Sequence, residues 1–106
     1  MNDRPLEIDM ETAKKHLDAG EAIFVDVRDP MSFRQAHIPG ALHVTDVNVE
    51  EFVAATEKSS KLIVYCYHGM SSQGGAQFFR EQGFTECYSM TGGFEAWRFR
   101  FDHTGS

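Results

Sequence analysis

The sequence has few of the features that mark disulfide-stapled, membrane-spanning or nucleic-acid-binding proteins. It contains only two cysteines, Cys66 and Cys87, among 106 residues, which excludes a disulfide scaffold. No apolar run approaches the roughly 18–20 residues that span a bilayer. The formal net charge of −6, from 10 basic and 16 acidic residues, argues against a general nucleic-acid binder. We therefore expect partners other than membranes and nucleic acids.

Metal-binding and targeting patterns are equally sparse. The cysteines show no C-x-x-C spacing, and the nearest histidine, His68, follows Cys66 by only two residues. We therefore expect no zinc site and no other metal or cofactor. Residues 1–7 (MNDRPLE) carry acidic side chains where a signal peptide has an apolar core. By default, these features favour a cytoplasmic protein.

The overall composition of the chain is typical of one small globular domain. Apolar residues make up 42% and charged residues 25% of the chain, so neither disorder nor a fibrous protein is indicated. A chain of this length can bury a core without metals or disulfides. No repeat or low-complexity linker divides it. We expect a single domain over residues 1–106.

Strand-like and helix-like segments alternate along the chain. Apolar and β-branched runs predict strands at residues 6–8, 22–27, 41–44, 61–66 and 86–90. Capping and periodicity signals predict the intervening helices: one from Asp9 to Gly20, one from Asp29-Pro30 to about Ala36, one capped by Asp46, one from Ser71 or Ser72 to Gly83, and one after Gly92-Gly93. This order predicts an α/β domain with a mostly parallel sheet and helices on both faces.

Cys66 occupies the position where such a sheet would bind a ligand. It ends the most apolar strand, and ligands bind beyond the carboxyl ends of parallel strands. The helix that follows can stabilise a thiolate through its dipole and its unpaired first-turn N–H groups. Gly69 permits the positive φ with which successive N–H groups curve into an anion-binding nest. Gly74 and Gly75 predict a close approach of this helix to the loop or the sheet.

Each candidate residue also has a purely structural interpretation. A free cysteine at the end of an apolar strand is commonly a small buried hydrophobe, so both interpretations of Cys66 stay open at this point. Cys87 lies in a strand without a following helix and is interpreted as core. His68 could orient a substrate or be solvated. Asp26 and Arg28, at the end of another buried strand, could line the rim of the same site, but we expect an ion pair that fixes the loops.

Four segments spread over most of the chain carry a family resemblance: residues 24–30 (FVDVRDP), 36–41 (AHIPGA), 64–69 (VYCYHG) and 92–97 (GGFEAW). In this order they resemble the single-domain rhodaneses, and specifically the small thiosulfate sulfurtransferases among them. The resemblance implies a rhodanese-like fold, a five-stranded parallel sheet with helices on both faces. It also implies that Cys66 is the nucleophile and that the following loop cradles its bound sulfur and the substrate, with Tyr67, His68, Gly69, Met70 and Ser71 as the binding residues.

The resemblance further implies two half-reactions. Cys66 attacks the outer sulfur of thiosulfate, sulfite leaves, and Cys66 carries a persulfide. Cyanide or a small thiol then removes the sulfur, with thioredoxin as a candidate acceptor. Sulfite is a stable leaving anion, so the reaction needs no general acid, and backbone N–H groups can stabilise both the thiolate and the persulfide. Covalent catalysis of this kind predicts ping-pong kinetics.

The chain departs from the family pattern in two places. Ala36 stands where many rhodaneses have glycine. Tyr67 and Met70 stand in a loop where many members carry a basic or amide side chain. Without Arg or Lys in this loop, thiosulfate would be held mainly by backbone amides, so the preferred sulfur donor stays open.

Three other functions compete with this hypothesis. The phosphatases and arsenate reductases related to rhodaneses clamp phosphate with an arginine at the end of the loop, whereas the first arginine after Cys66 is Arg80. Regulatory rhodanese-like interaction modules typically lack the cysteine. A persulfide carrier in a protein relay, fed by a partner enzyme, is left open by the apolar Met70 and by aromatic residues such as Phe99.

Overall fold

The computed structural model describes residues 5–105, in which strands and helices alternate. The elements are β1 (Glu7–Ile8), α1 (Met10–Ala19), β2 (Ile23–Asp26), α2 (Pro30–Gln35), β3 (Leu42–His43), α3 (Val49–Ala55), β4 (Leu62–Tyr65), α4 (Ser71–Glu81), β5 (Cys87–Met90) and α5 (Gly93–Trp97). Each predicted strand and helix is present. Within the described range, every helix is too short or too polar to cross a membrane.

The strands form one five-stranded sheet in the order β1-β5-β4-β2-β3. All neighbouring strands in this described sheet are parallel, so the predicted, mostly parallel arrangement is confirmed and is fully parallel. β4 lies at the centre, between β2 and β5. Because the carboxyl ends of parallel strands share one edge of the sheet, the loops after β2, β4 and β5 meet there.

Helices cover both faces of this sheet. The side chains of β4 are fully buried and alternate between two apolar clusters. Ile63 and Tyr65 pack in the cluster that includes residues of α1 and α5. Leu62 and Val64 pack in the other cluster, which includes residues of α3 and α4. This alternation explains why the sequence of β4 is an uninterrupted apolar run: both of its faces are covered.

The predicted capping residues begin and end the first two helices. The Asp9 carboxylate accepts a hydrogen bond from the Thr12 N–H at 2.7 Å, and Gly20 ends α1 in the left-handed conformation. The Asp29 carboxylate accepts from the Ser32 N–H at 2.9 Å. These caps satisfy N–H groups that the first helical turn leaves without an intrahelical partner.

The prediction that Asp46 caps the third helix is wrong. α3 begins at Val49, and Asn48 is its N-cap residue. The side chain of Asn48 accepts from the Thr45 N–H at 2.8 Å and donates to the His43 carbonyl at 2.9 Å. Asn48 therefore closes the turn after β3, and this turn carries the chain past the exposed Asp46 before the helix can begin.

One of the two predicted close approaches of α4 is present. A Cβ at Gly75 would lie 3.3 Å from Cγ1 of Val64 in β4 and 3.8 Å from Cγ1 of Val27. A Cβ at Gly74 would meet nothing within 4 Å, so this glycine supports no such contact. Of the two glycines, Gly75 is the one that lets α4 pack closely on the central strand. This packing places the first turn of α4 beside Cys66.

Candidate active site

The loop after β4, residues 66–71, folds around the sulfur of Cys66; we call it the Cys66 loop. The Gly69 N–H donates to Sγ at 3.1 Å and the Ser72 N–H donates at 3.2 Å. The Ser72 Oγ lies 3.4 Å from the same sulfur. Gly69 has the predicted positive φ, 92°, a conformation that residues with a Cβ rarely adopt. The loop and the first turn of α4 thus surround Sγ with hydrogen-bond donors.

These donors hold the pKa of the Cys66 thiol below its ordinary value. Burial raises this pKa, but the hydrogen bonds from the Ser72 hydroxyl, the Ser72 and Gly69 N–H groups and the backbone of His68 outweigh burial. A lower pKa increases the fraction of thiolate, which is the nucleophilic form of cysteine. Of the two sequence interpretations of Cys66, the geometry favours the reactive thiolate.

Cys87 has the opposite environment. It is fully buried in the apolar cluster on the α4 face of the sheet, together with Phe84 and Leu62. Burial raises the pKa of the Cys87 thiol to about 12. A thiol with such a pKa stays protonated at neutral pH and is a poor nucleophile. The prediction that Cys87 belongs to the core is confirmed.

The start of α5 packs against the Cys66 loop and holds its backbone. The Phe94 N–H donates to the Cys66 carbonyl and the Glu95 N–H donates to the Tyr67 carbonyl, both at 2.9 Å. Gly93 lies so close that a Cβ there would be 2.5 Å from the Tyr67 oxygen. Gly93 of the GGFEAW segment therefore has a local reason, because it admits α5 to the backbone of the Cys66 loop.

Two buried serines extend the site toward β5. The Ser72 and Ser89 hydroxyl oxygens lie 2.7 Å apart, and both residues are fully buried. Neither serine is among the residues predicted from the sequence, because the predicted loop ends at Ser71, whose side chain is exposed. Ser71 and Ser72 are indistinguishable in sequence, and only the rotation of the first turn of α4 decides which one faces Cys66. Ser89 carries no local sequence signal at all.

The other predicted loop side chains lie at the rim of the site. Tyr67 and His68 are exposed, and Met70 has 75% of its surface exposed. The Tyr67 hydroxyl lies 3.5 Å from Nη1 of Arg98, just beyond the end of α5. Arg98 therefore brings a basic side chain to the rim from a distant part of the chain, which inspection of the loop sequence alone does not reveal.

The predicted ion pair between Asp26 and Arg28 is confirmed. Nη2 of Arg28 lies 2.7 Å from Oδ2 of Asp26, and both side chains are buried. Arg28 also donates to the Ala36 carbonyl at 2.6 Å, and its guanidinium carbon lies 4.3 Å from the ring centroid of Phe94. The pair joins β2 and the segment after α2 to α5, so it supports the helix that holds the Cys66 loop.

The groups that surround Sγ are the hydroxyl of Ser72, with Ser89 behind it, and backbone amides. Within residues 5–105, His, Cys, Asp and Glu side chains form no group of three that could hold a metal ion. The arrangement suits a nucleophile that must carry negative charge before and after it reacts.

Comparison with known proteins assigns the family. The family model of the rhodanese-like domain matches residues 9–99. The chain belongs to the rhodanese family. This rhodanese is 45% identical over 95 residues to the thiosulfate sulfurtransferase GlpE of Vibrio cholerae (strain O395), a match that covers 90% of each chain. It is 44% identical over 98 residues to GlpE of Pseudomonas aeruginosa (strain LESB58), covering 92% of this chain and 88% of the relative. The rhodanese is a sulfurtransferase.

Solved structures show the same fold. The rhodanese-like domain of an Anabaena protein superposes on this rhodanese with a TM-score of 0.85 and 24% identity, covering 97% of this chain and 81% of the other. A human single-domain sulfurtransferase superposes with a TM-score of 0.83 and 20% identity, covering 93% and 100%. These similarities confirm the predicted rhodanese-like architecture.

Proposed function

We propose that this rhodanese moves the sulfane sulfur of thiosulfate, through a persulfide on Cys66, to cyanide or a thiol acceptor. The observation that carries the proposal is the donor set on Sγ: the N–H groups of Gly69 and Ser72 at 3.1 and 3.2 Å, at the carboxyl end of the central strand. The names of the GlpE relatives support thiosulfate as the sulfur donor.

In the first half-reaction, the Cys66 thiolate attacks the outer sulfur of thiosulfate. A bond forms between Sγ and this sulfur while the S–S bond of thiosulfate breaks, and sulfite leaves with the electron pair. A thiolate and a dianion thus become a persulfide and a sulfite dianion, with the remaining negative charge on the outer sulfur of the persulfide, so charge balances without a proton. Because charge balances without a proton, the step needs no general acid, and the hydrogen-bond donors around Sγ suffice.

The Cys66 loop can hold the charge that this step moves. The outer sulfur of a persulfide lies about 2 Å beyond Sγ. Among residues 5–105, the backbone N–H groups of Tyr67, Met70 and Ser71 have no protein acceptor and are available to this sulfur or to the sulfonate oxygens. Arg98 lies at the rim beside the Tyr67 hydroxyl, but Nη1 of Arg98 is also 3.8 Å from Oε1 of Glu95, so this ion pair offsets its charge and the backbone amides remain the main binding groups for the dianion.

In the second half-reaction, the acceptor attacks the outer sulfur of the persulfide. The bond from this sulfur to Sγ breaks, the Cys66 thiolate is restored, and the product is thiocyanate or a new persulfide. Because sulfite leaves before the acceptor reacts, the proposed kinetics are ping-pong. Thioredoxin is one protein thiol to test as the acceptor, alongside small thiols.

Intact-protein mass spectrometry tests the proposal directly. After incubation with thiosulfate, we expect the mass of one added sulfur atom, mapped to Cys66, and its loss to thiocyanate when cyanide is added. Cys66→Ala should gain no sulfur. The matched control Cys87→Ala, which alters a buried thiol with a pKa of about 12, should still be loaded.

Two results would contradict the assignment: sulfur transfer by Cys66→Ala, or equal loss in both variants when circular dichroism shows that both are folded. A third result separates the remaining alternatives. If the wild-type protein takes no sulfur from thiosulfate but takes it from a persulfidated cysteine desulfurase, the protein is a carrier in a relay and thiosulfate is not its donor.

A further inference from the structure

A short chain of buried hydroxyls leads from Cys66 to the neighbouring strand. The Ser72 Oγ lies between Sγ of Cys66, at 3.4 Å, and Oγ of Ser89, at 2.7 Å. Both serines are fully buried. A serine hydroxyl has one proton to donate and can accept two hydrogen bonds. The direction in which each hydroxyl donates is therefore decided by which acceptors lie within reach.

Ser89 has one acceptor for its proton. Among residues 5–105, the Ser72 hydroxyl is the sole hydrogen-bond partner of the Ser89 side chain. A buried O–H group without an acceptor loses its hydrogen bond to water and gains none in exchange, which is costly. The Ser89 O–H therefore donates to Ser72 Oγ. The Ser72 proton then has Sγ of Cys66 as its remaining acceptor.

This direction affects the two ionisation states of Cys66 differently. A thiolate accepts from the Gly69 N–H, the Ser72 N–H and the Ser72 O–H at once. A neutral thiol that donates its proton to Ser72 Oγ removes the acceptor of the Ser72 proton. Either that proton stays without an acceptor, or it turns to Ser89 Oγ and the Ser89 proton loses its acceptor.

We propose that Ser89 is a positioning residue that directs the Ser72 hydroxyl toward Cys66 and thereby favours the thiolate. Ser89 does not touch Sγ and acts through Ser72. The inference rests on the proposed function only in taking the Cys66 thiolate to be the nucleophile.

Ser89 is well placed for this role because the sheet holds it on both sides. In β5 it lies opposite Val64 of β4 and Glu7 of β1. Its N–H donates to the Leu6 carbonyl at 2.8 Å. The hydroxyl therefore belongs to a rigid strand and stays in place when the Cys66 loop adjusts to a substrate.

Alkylation of Cys66 by iodoacetamide as a function of pH tests this role, because the rate follows the thiolate fraction. For Ser89→Ala we expect the midpoint of the pH profile to move upward while the plateau rate at high pH is unchanged. At pH values below the midpoint, the rate should fall about twofold to tenfold, the range that corresponds to one neutral hydrogen bond. Ser59→Ala, a change of an exposed serine in the segment before β4, should keep the wild-type profile.

A second pair of variants separates the hydroxyl from the packing. Ser89→Thr and Ser89→Val add nearly the same volume, but only threonine keeps a proton to donate. We expect the threonine variant to keep the lower midpoint and the valine variant to lose it. If Ser89→Ala does not fold, the comparison of these two variants still shows whether the hydroxyl at position 89 lowers the midpoint.

The inference would be overturned by an unchanged midpoint in folded Ser89→Ala, by a midpoint that moves downward, or by equal profiles for the threonine and valine variants. A fall in the plateau rate without a shift of the midpoint would also refute it, since that is the signature of disturbed packing. Alkylation uses no thiosulfate, so these results are independent of whether the wild-type protein accepts sulfur, which the mass measurement reports separately.

Discussion

Replacing Gly93 with alanine should separate α5 from the Cys66 loop. A Cβ at this position would lie 2.5 Å from the Tyr67 oxygen and 2.7 Å from the Cys66 oxygen, closer than such atoms approach in proteins. Both neighbours are backbone atoms, which cannot turn aside as a flexible side chain can. The helix must therefore move, and its two hydrogen bonds to these carbonyls, each 2.9 Å long, must lengthen.

The size of the effect follows from two contributions. Gly93 has a φ of 60°, and the left-handed conformation costs an alanine there about 1–2 kcal/mol. Each backbone hydrogen bond that is lost removes about 0.5–1.5 kcal/mol. We expect the free energy of unfolding to fall by about 2–5 kcal/mol, a large share of the stability of a small domain. The kcat/KM of sulfur transfer should fall about tenfold to a hundredfold, because the displaced loop no longer directs the Gly69 N–H toward Sγ of Cys66.

Gly20→Ala is the matched control for this prediction. Gly20 has a similar φ of 67° at the end of α1, but nothing lies within 4 Å of the position of a Cβ there. We expect this variant to lose only the conformational contribution, about 1–2 kcal/mol, and to keep its activity. Urea unfolding and sulfur-transfer rates measure both effects. Equal losses of stability in the two variants, or full activity in Gly93→Ala, would refute the role assigned to α5.

Two further substitutions test the support of the site and its rim. Asp26→Asn leaves the Arg28 charge buried without its partner, so urea unfolding should show a loss of about 3–5 kcal/mol, against less than about 1 kcal/mol for Asp18→Asn, which breaks the exposed pair with Lys14. Similar losses of unfolding free energy in the two variants would show that the buried pair of Asp26 and Arg28 does not stabilise the fold more than an exposed pair does. Met70→Arg should lower the KM for thiosulfate about twofold to fivefold by charge attraction, while Met70→Gln should not. An unchanged or higher KM for the arginine variant would contradict binding by backbone amides.

The order of strands and helices could be predicted because its signals are local. Asp9 and Asp29 lie next to the helices that they cap, and their carboxylates need to reach only a few residues along the chain. The prediction failed at Asp46 because the side chain of Asn48 hydrogen-bonds to the backbone of the preceding turn. Turn and cap use the same types of side chain, so a short polar segment does not reveal where the helix starts.

The position of Cys66 beside a nest-forming loop and a helix N-terminus could be predicted for a similar reason. Cys66, Gly69 and the start of α4 are contiguous, so the sequence already contains the strand, the nest-forming glycine and the helix N-terminus. Ser72 could not be chosen over Ser71 in the same way. Neighbouring residues on a helix differ in direction by more than a quarter turn, and packing of α4 on β4 through Gly75 decides which hydroxyl faces the sulfur.

By itself, therefore, the sequence determined a parallel α/β domain with a cysteine at the ligand-binding edge of its central strand, since period, caps and glycines act within one segment. The tertiary structure alone decided what surrounds that cysteine. Ser89, Gly93 and Arg98 come from β5, α5 and the residue after it, and they reach the Cys66 loop because the strand order places β5 directly beside β4. A hydrogen bond depends on the distance between two atoms in space, and the separation of their residues in the sequence does not indicate that distance.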